Sequence, residues 1–216
     1  GFGIALDGRP VRTPAKAPLR LPSRALAEAA AAEWNAQEGE ADPSGMPVTR
    51  AANSAIDKVA PQFDEVARLI ADYGGTDLLC YRAEAPAELV RRQGEAWDPL
   101  LDWAAEALGA RLTPGAGVMH IPQDPVALQR LHAQVAALDP WRLTALSDLA
   151  TLSGSLVLGF AVAEGARAPE DGWRLSRIDE DWQIEQWGED AEAAAAAEAR
   201  RADFLRAARF FALAGR

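Results

Sequence analysis

The sequence contains few of the side chains from which metal and redox sites are usually built. It has one cysteine, Cys80, and two histidines, His120 and His132. A single cysteine excludes an internal disulfide framework and any metal site made of several cysteines. Neither histidine has a cysteine or a glutamate nearby at metal-ligand spacing. We therefore expect no metal, no cofactor and a buried, unreactive thiol at Cys80, in a protein of a reducing compartment.

The common motifs of nucleotide-binding and hydrolytic sites are also missing. No G-x-S-x-G, P-loop or H-E-x-x-H pattern occurs. The G-x-G at residues 1–3 is followed by no predicted helix, so it is not a dinucleotide fingerprint. We predict a protein without catalytic residues. The alternative that stays open is an enzyme or small-ligand binder with a cleft between two domains, lined by Arg50, Asp57, Tyr81 and Arg82.

No hydrophobic run is long enough to span a membrane. The most apolar stretch, residues 149–163, is interrupted by serine and glycine and is shorter than the roughly 20 residues that a span requires. The formal net charge of −10 argues against nucleic acid or an anionic membrane as the main partner. We expect no stable membrane insertion and no nucleic-acid binding. A further open reading is an acidic helical adaptor for some other basic protein.

The remaining patterns predict an α+β protein that is predominantly helical. Asp7-Gly8 is a hairpin turn signal between short strands. Ser23 is a good N-cap for a helix over 25–37. No signal peptide is visible, and because the chain begins within a predicted strand, we expect the native N-terminus to lie upstream.

A polar segment rich in glycine and proline, residues 38–45, is the predicted domain boundary. It separates a small β-rich N-terminal domain with one helix, residues 1–45, from a helical domain, residues 46–216. Short extended segments near 76–82 and 110–121 are expected to pack on the first domain.

Most helix starts in the second part share one pattern, a proline at the first helical position. The prolines in this pattern are Pro47, Pro61, Pro86, Pro99, Pro125, Pro140 and Pro169. Asp98, Asp124 and Asp139 are placed to cap the helices that would follow them. We predict one central helix over 141–164 and a final helix over 191–214.

Tryptophan and carboxylate are concentrated in residues 176–190, which predict a helix ending at Gly188. At 100° per residue, one face carries Leu175, Ile178, Trp182 and Glu185. The opposite face carries Glu180, Ile184 and Trp187. A helix with a single core face should not carry a large aromatic on both sides, so this helix is either buried twice or has one face free for a partner. If Trp182 is fully buried, its replacement by alanine should destabilise the fold by about 3–5 kcal/mol.

Five stretches, spread from the first helix towards the last, form a recognisable set. They are Glu33-Trp34-Asn35-Ala36-Gln37; Met46-Pro47-Val48-Thr49-Arg50 with Asn53 and Asp57; Thr76-Asp77-Leu78-Leu79-Cys80-Tyr81-Arg82; Gln93 with Trp97-Asp98-Pro99; and Asp179-Glu180-x-Trp182-Gln183 with Trp187-Gly188. In order and spacing they resemble the assembly chaperones of the F-type ATP synthase catalytic head, the family that binds the free α subunit.

The resemblance implies a molecular chaperone that catalyses no reaction. Such a protein holds the free α subunit, prevents its aggregation and releases it to the β subunit. A monomer in the bacterial cytoplasm is favoured, with the mitochondrial matrix expected for a eukaryotic source. The predicted partner-binding residues are Glu180, Trp187, Trp182, Glu185, Trp34, Asp57 and Arg82.

Overall fold

A computed structural model describes residues 1–215, which form ten α-helices and three two-stranded pairings. The helices are α1 (Arg24–Asn35), α2 (Pro47–Ser54), α3 (Phe63–Ala71), α4 (Ala87–Ala107), α5 (Pro125–Ala136), α6 (Pro140–Ser153), α7 (Leu156–Ala163), α8 (Pro169–Ser176), α9 (Ile178–Trp187) and α10 (Ala191–Ala214). The strands are β1 (Phe2–Gly3), β2 (Ala5–Leu6), β3 (Arg9–Pro10), β4 (Arg20–Leu21), β5 (Tyr81–Arg82) and β6 (Gly115–Ala116). The predicted α+β, predominantly helical fold class is confirmed.

The N-terminal segment folds onto the ends of three helices. β2 and β3 pair antiparallel across Asp7-Gly8, where both turn residues have positive φ, as the turn signal predicted. β1 pairs antiparallel with β4, and Ser23 caps α1 by accepting a hydrogen bond from the Leu26 amide at 3.0 Å. This segment shares a hydrophobic cluster with α2, α6 and α10, whose members include Leu21, Leu26, Val48, Ala145 and Phe210. The division at residue 45 stays a prediction.

A second hydrophobic cluster fills the helical part of the molecule. Its largest fully buried side chains include Trp97, Leu131, Leu149 and Phe204. α10 packs along α6 and spans the residues predicted for the final helix. Asp190 is the N-cap of α10. The two predicted extended segments, near 76–82 and 110–121, pair with each other as the parallel strands β5 and β6.

The proline pattern marks four helix starts correctly and three wrongly. Pro47, Pro125, Pro140 and Pro169 are the first residues of their helices. Pro61 lies in a 3-10 turn, Pro86 precedes α4, and Pro99 lies inside α4. The helix continues through Pro99 because Trp97 and Leu100, on either side of it, are fully buried. Asp98 therefore caps no helix.

The predicted central helix over 141–164 is wrong, because it is divided into α6 and α7. Gly154, between them, has a φ of 73°, a left-handed conformation that glycine adopts readily. Ser155 then begins the new helix by accepting a hydrogen bond from the Leu158 amide at 3.0 Å. Ser153, Gly154 and Ser155, which interrupt the apolar stretch, are the local sequence signal for this break.

The buried carboxylate of Asp77 stabilises this break from outside. Its two oxygens accept hydrogen bonds from the amide of Leu79 at 3.1 Å and from the amide of Val157 at 3.0 Å. One carboxylate thus caps both the 3-10 turn Leu78–Cys80 and the first turn of α7. Burial raises the pKa of Asp77 to about 6, against the hydrogen bonds that it accepts.

We expect Asp77→Asn to destabilise the protein by about 1–3 kcal/mol at pH 7, because an amide nitrogen would face a buried N–H group. The folded wild type takes up a proton on Asp77 as the pH falls through about 6, whereas the unfolded chain does so near 3.8. The wild type therefore gains stability from this group between pH 7 and 5, and the variant does not. Urea unfolding should show that the variant's free energy of unfolding is lower than that of the wild type, by a difference that is larger at pH 5 than at pH 7. A difference that is smaller at pH 5 would contradict this account of Asp77.

Candidate functional site

The tryptophan-rich helix α9 lies at the surface and buries none of its side chains completely. It begins at Ile178, since Arg177 separates it from α8, and it ends before Gly188, whose φ is 90°. Trp187 at its end is 79% exposed, and Ile184 is also exposed. Of the two readings of this helix, the structure therefore favours the one in which a face is free.

The other face of α9 is attached to α4 by polar and ring contacts. Arg92 donates to both carboxylate oxygens of Glu185 at 2.8 Å. Its guanidinium carbon lies 4.9 Å from the ring centroid of Trp182, a cation–π distance. Trp182 is only half-buried, so we expect its replacement by alanine to destabilise the fold by less than the loss for a core tryptophan.

A buried amide joins α9 to a second part of the chain. Gln93, almost wholly buried, donates to Asp179 at 2.5 Å and accepts a hydrogen bond from the amide of Ala83 at 2.7 Å. Sequence reasoning assigned no role to Arg92 or Gln93. A signal existed for Gln93, because it lies between the apolar Leu89 and Trp97 at spacings of four, where a polar side chain needs a buried partner.

The free face of α9 combines apolar and acidic groups. Glu180 is half exposed, and its carboxylate lies 3.5 Å from the guanidinium of Arg177. Partial burial raises the pKa of the neighbouring Asp181, while Arg177 opposes that change. Together with Trp187 and Ile184, these groups form an apolar surface with carboxylates beside it. Such a surface can bind a protein that offers an apolar area flanked by basic side chains.

Arg82 lies inside the protein, apart from this face. Its Nε donates to the carbonyl of Leu79 at 2.8 Å, and its guanidinium carbon lies 5.3 Å from the ring centroid of Trp97. Nη2 is 2.8 Å from Asp98, a close ion pair without the directed geometry of a hydrogen bond. Arg82 therefore fixes the segment that leads from the 3-10 turn to β5.

Asp57 and Trp34 lie on the N-terminal side of the molecule. Asp57, in the π-helical turn Ala55–Val59, accepts hydrogen bonds from the Thr13 hydroxyl at 2.7 Å and the Ala15 amide at 3.0 Å. Trp34 is half-buried at the end of α1, beside the β2–β3 hairpin. In the described part of the chain, neither these two residues nor Arg82 makes a hydrogen bond, ion pair or ring contact with α9. The structure thus brings together only four of the predicted residues, Glu180, Trp182, Glu185 and Trp187.

The residues predicted for an alternative ligand cleft do not converge. Asp57 and Arg82 have the separate partners described above, and Tyr81 lies 3.4 Å from the ring nitrogen of His120. Arg50 lines a groove of about 390 Å³ between α2, α6 and α10, which also contains Asp148. Asp148 is exposed at the surface of this groove, but partial desolvation there and the nearby Asp203 raise its pKa to about 6 against the opposing charge of Arg50.

Metal-binding clusters and membrane spans are not found within residues 1–215. No group of three or more histidine, cysteine, aspartate or glutamate side chains in that range is placed to hold a metal ion. None of the helices there has the length and apolar character needed to cross a bilayer. Cys80 is fully buried, and burial raises the pKa of its thiol to about 12, which keeps it protonated.

We expect Arg92→Ala to loosen α9 without unfolding the core, since α9 buries no side chain completely. Backbone amides of 178–187 should exchange with solvent deuterium faster, while the urea midpoint changes little. Arg91→Ala is the matched control, because Arg91 pairs only with Glu88 and Glu95 of its own helix. Equal exchange rates in the two variants would show that Arg92 does not hold α9.

Comparison with known proteins gives one consistent answer. The family model for the ATP12 chaperone protein matches residues 1–105. The crystal structure of Atp12 from Paracoccus denitrificans is 57% identical, with a TM-score of 0.97 over 100% of this chain and 92% of that one. The Atu1473 protein of Agrobacterium tumefaciens is 46% identical, with a TM-score of 0.91 over 98% of this chain and 79% of that one.

A more distant relative is the mitochondrial protein atp12 of Schizosaccharomyces pombe. It is 26% identical over an alignment of 197 residues that covers 86% of this chain and 68% of that protein. The likeness to the Paracoccus structure covers 100% of this chain and therefore includes every helix and strand described above. The chain therefore belongs to the ATP12 family of ATP synthase assembly chaperones, the family that its sequence resembles.

Proposed function

We propose that this chain binds the free α subunit of the F-type ATP synthase, prevents its aggregation and releases it to the β subunit. It does so by binding and without catalysis, as a monomer in the bacterial cytoplasm. The observation that carries the proposal is the free face of α9, where Trp187 is 79% exposed. A tryptophan in this position adds little to the core and suits the centre of an interface.

Glu180 supplies the polar part of the proposed contact. Its carboxylate is only loosely paired with Arg177 at 3.5 Å, so it is available to an arginine of the α subunit. A charge at the rim of an interface mainly changes the association rate and its salt dependence. This suits a chaperone, which must bind its client quickly and later give it up.

The other predicted residues have supporting roles in this proposal. Trp182 and Glu185 hold the helix against Arg92, and so they orient the free face. Arg82 fixes the neighbouring segment, and Asp57 ties the N-terminal loop to the helical part. Trp34 and Asp57 as direct client contacts remain predictions.

The test is an affinity measurement with separately produced α and β subunits at low and moderate salt. We expect the wild type to bind free α selectively. Trp187→Ala should weaken that binding at least tenfold, a change of about 1.4 kcal/mol that is modest for an interface tryptophan. Leu69→Ala, an exposed apolar residue on α3, is the control.

Glu180→Lys should also weaken binding to α, and more strongly at low salt, while circular dichroism shows an intact fold. Glu106→Lys is the matched charge reversal, because Glu106 lies on α4 14 residues beyond Arg92, about 21 Å along the helix. A folded wild type that captures neither subunit would refute the proposed function. Normal capture by both α9 variants would refute only the proposed site.

A further inference from the structure

Two large apolar side chains project into solvent from the segment 117–121, which follows β6 and is called the apolar loop below. Val118 is 95% exposed and Met119 is 78% exposed. Single exposed apolar residues are common on protein surfaces, but adjacent ones of this size contribute little to the core.

The apolar loop is anchored at both ends. At its start, the Gly117 amide donates to the carbonyl of Arg82 at 2.9 Å, and the side chain of Glu84 lies against Gly117. Near its end, His120 lies 3.4 Å from the hydroxyl of Tyr81. The loop therefore presents Val118 and Met119 from a fixed position beside β5.

Hydrogen bonds connect this position to α9. The residue after β5, Ala83, donates to Gln93 of α4, and Gln93 donates to Asp179 at the start of α9. Val90 lies on α4 three residues before the buried Gln93, and the two side chains point in directions about 60° apart around the helix axis. Unlike Gln93, Val90 is exposed. Exposed apolar side chains thus occur on three connected segments, the apolar loop, α4 and α9.

The start of the apolar loop and the start of α9 lie near each other. Gly117 bonds to Arg82, the next residue Ala83 bonds to Gln93, and Gln93 bonds to Asp179. An interface of standard size covers about 800 Å² on each partner, which is a disc about 32 Å across. A single protein surface can therefore reach both.

The charges on this side select the kind of partner. Arg91 and Arg92 are neutralised within the chain by the carboxylates of Glu88, Glu95 and Glu185. Glu84 lies against Gly117 of the apolar loop, Glu180 has only the 3.5 Å pairing with Arg177, and Glu189 lies two residues after Trp187. Complementarity then requires a partner surface that is apolar in two places and basic around and between them.

We infer that the apolar loop and the free face of α9 form one two-part docking surface for the α subunit, with Val118 and Met119 as its second contact. This inference rests on the proposed function, and it extends the site to a segment for which no binding role was predicted from the sequence. The client side of the interface has arginine or lysine side chains between two apolar areas.

The test uses the full chain with Val118→Ser and Met119→Ser together. We expect the affinity for separately produced α subunit to fall at least fivefold, and to fall further when Trp187→Ala is added. The matched control is Leu69→Ser with Val126→Ser, two exposed apolar residues on the packed helices α3 and α5. The control should bind the α subunit like the wild type.

The outcomes separate the inference from the proposed function. Unchanged affinity in the loop variant, alongside weakened binding in Trp187→Ala, overturns the inference and leaves the function standing. Equal losses in the loop variant and the control overturn it as well. Failure of the folded wild type to bind the α subunit overturns both. Sedimentation of the chain alone completes the test, because self-association that only the loop variant abolishes would assign this surface to a second copy.

Discussion

The structure around the candidate site depends on the hydrogen bonds that the Asp77 carboxylate accepts. This carboxylate is fully buried, and it holds the first turn of α7 and the 3-10 turn before β5 at one point. Removing a carboxylate from water is unfavourable, so the hydrogen bonds that it accepts from two backbone amides are needed to offset the cost of burying it. The segment leaving this point reaches Arg82 and Ala83, then Gln93 and finally α9. A series of contacts thus connects the buried carboxylate to the helix that carries the exposed Trp187.

The attachment of α9 differs in kind from the packing of the core. α6, α7 and α10 bury side chains such as Leu149, Phe160 and Phe204 completely. α9 is held by the polar contacts of Arg92 and Gln93 and by Ile178, which is only partly buried against the core. Contacts of this polar, partly exposed type open locally at a lower free energy than core packing does. In the proposed function, this face can therefore adjust to a client while the rest of the molecule keeps its structure.

Local signals in the sequence predicted the features that depend on local interactions. The turn at Asp7-Gly8, the helix capped by Ser23 and the final helix α10 are all observed. The division between α6 and α7 is not predicted, although Gly154 and Ser155 are local signals for it. Its other stabilising contact comes from Asp77, 80 residues away from Val157. Periodicity likewise found the two faces of α9 but not which one was free, since Arg92 and Glu185 are 93 residues apart.

The separation of the exposed apolar groups resolves a conflict that any such chaperone faces. A contiguous apolar patch large enough to hold a client would also promote self-association. Here Trp187 and the pair Val118 and Met119 are separated by carboxylates and arginine–carboxylate pairs, on a chain with a formal net charge of −10. A second copy of the chain would bring like charges together, whereas a client with basic groups between two apolar areas gains both contacts at once. Affinity for the client and solubility of the free chaperone are therefore compatible on one surface.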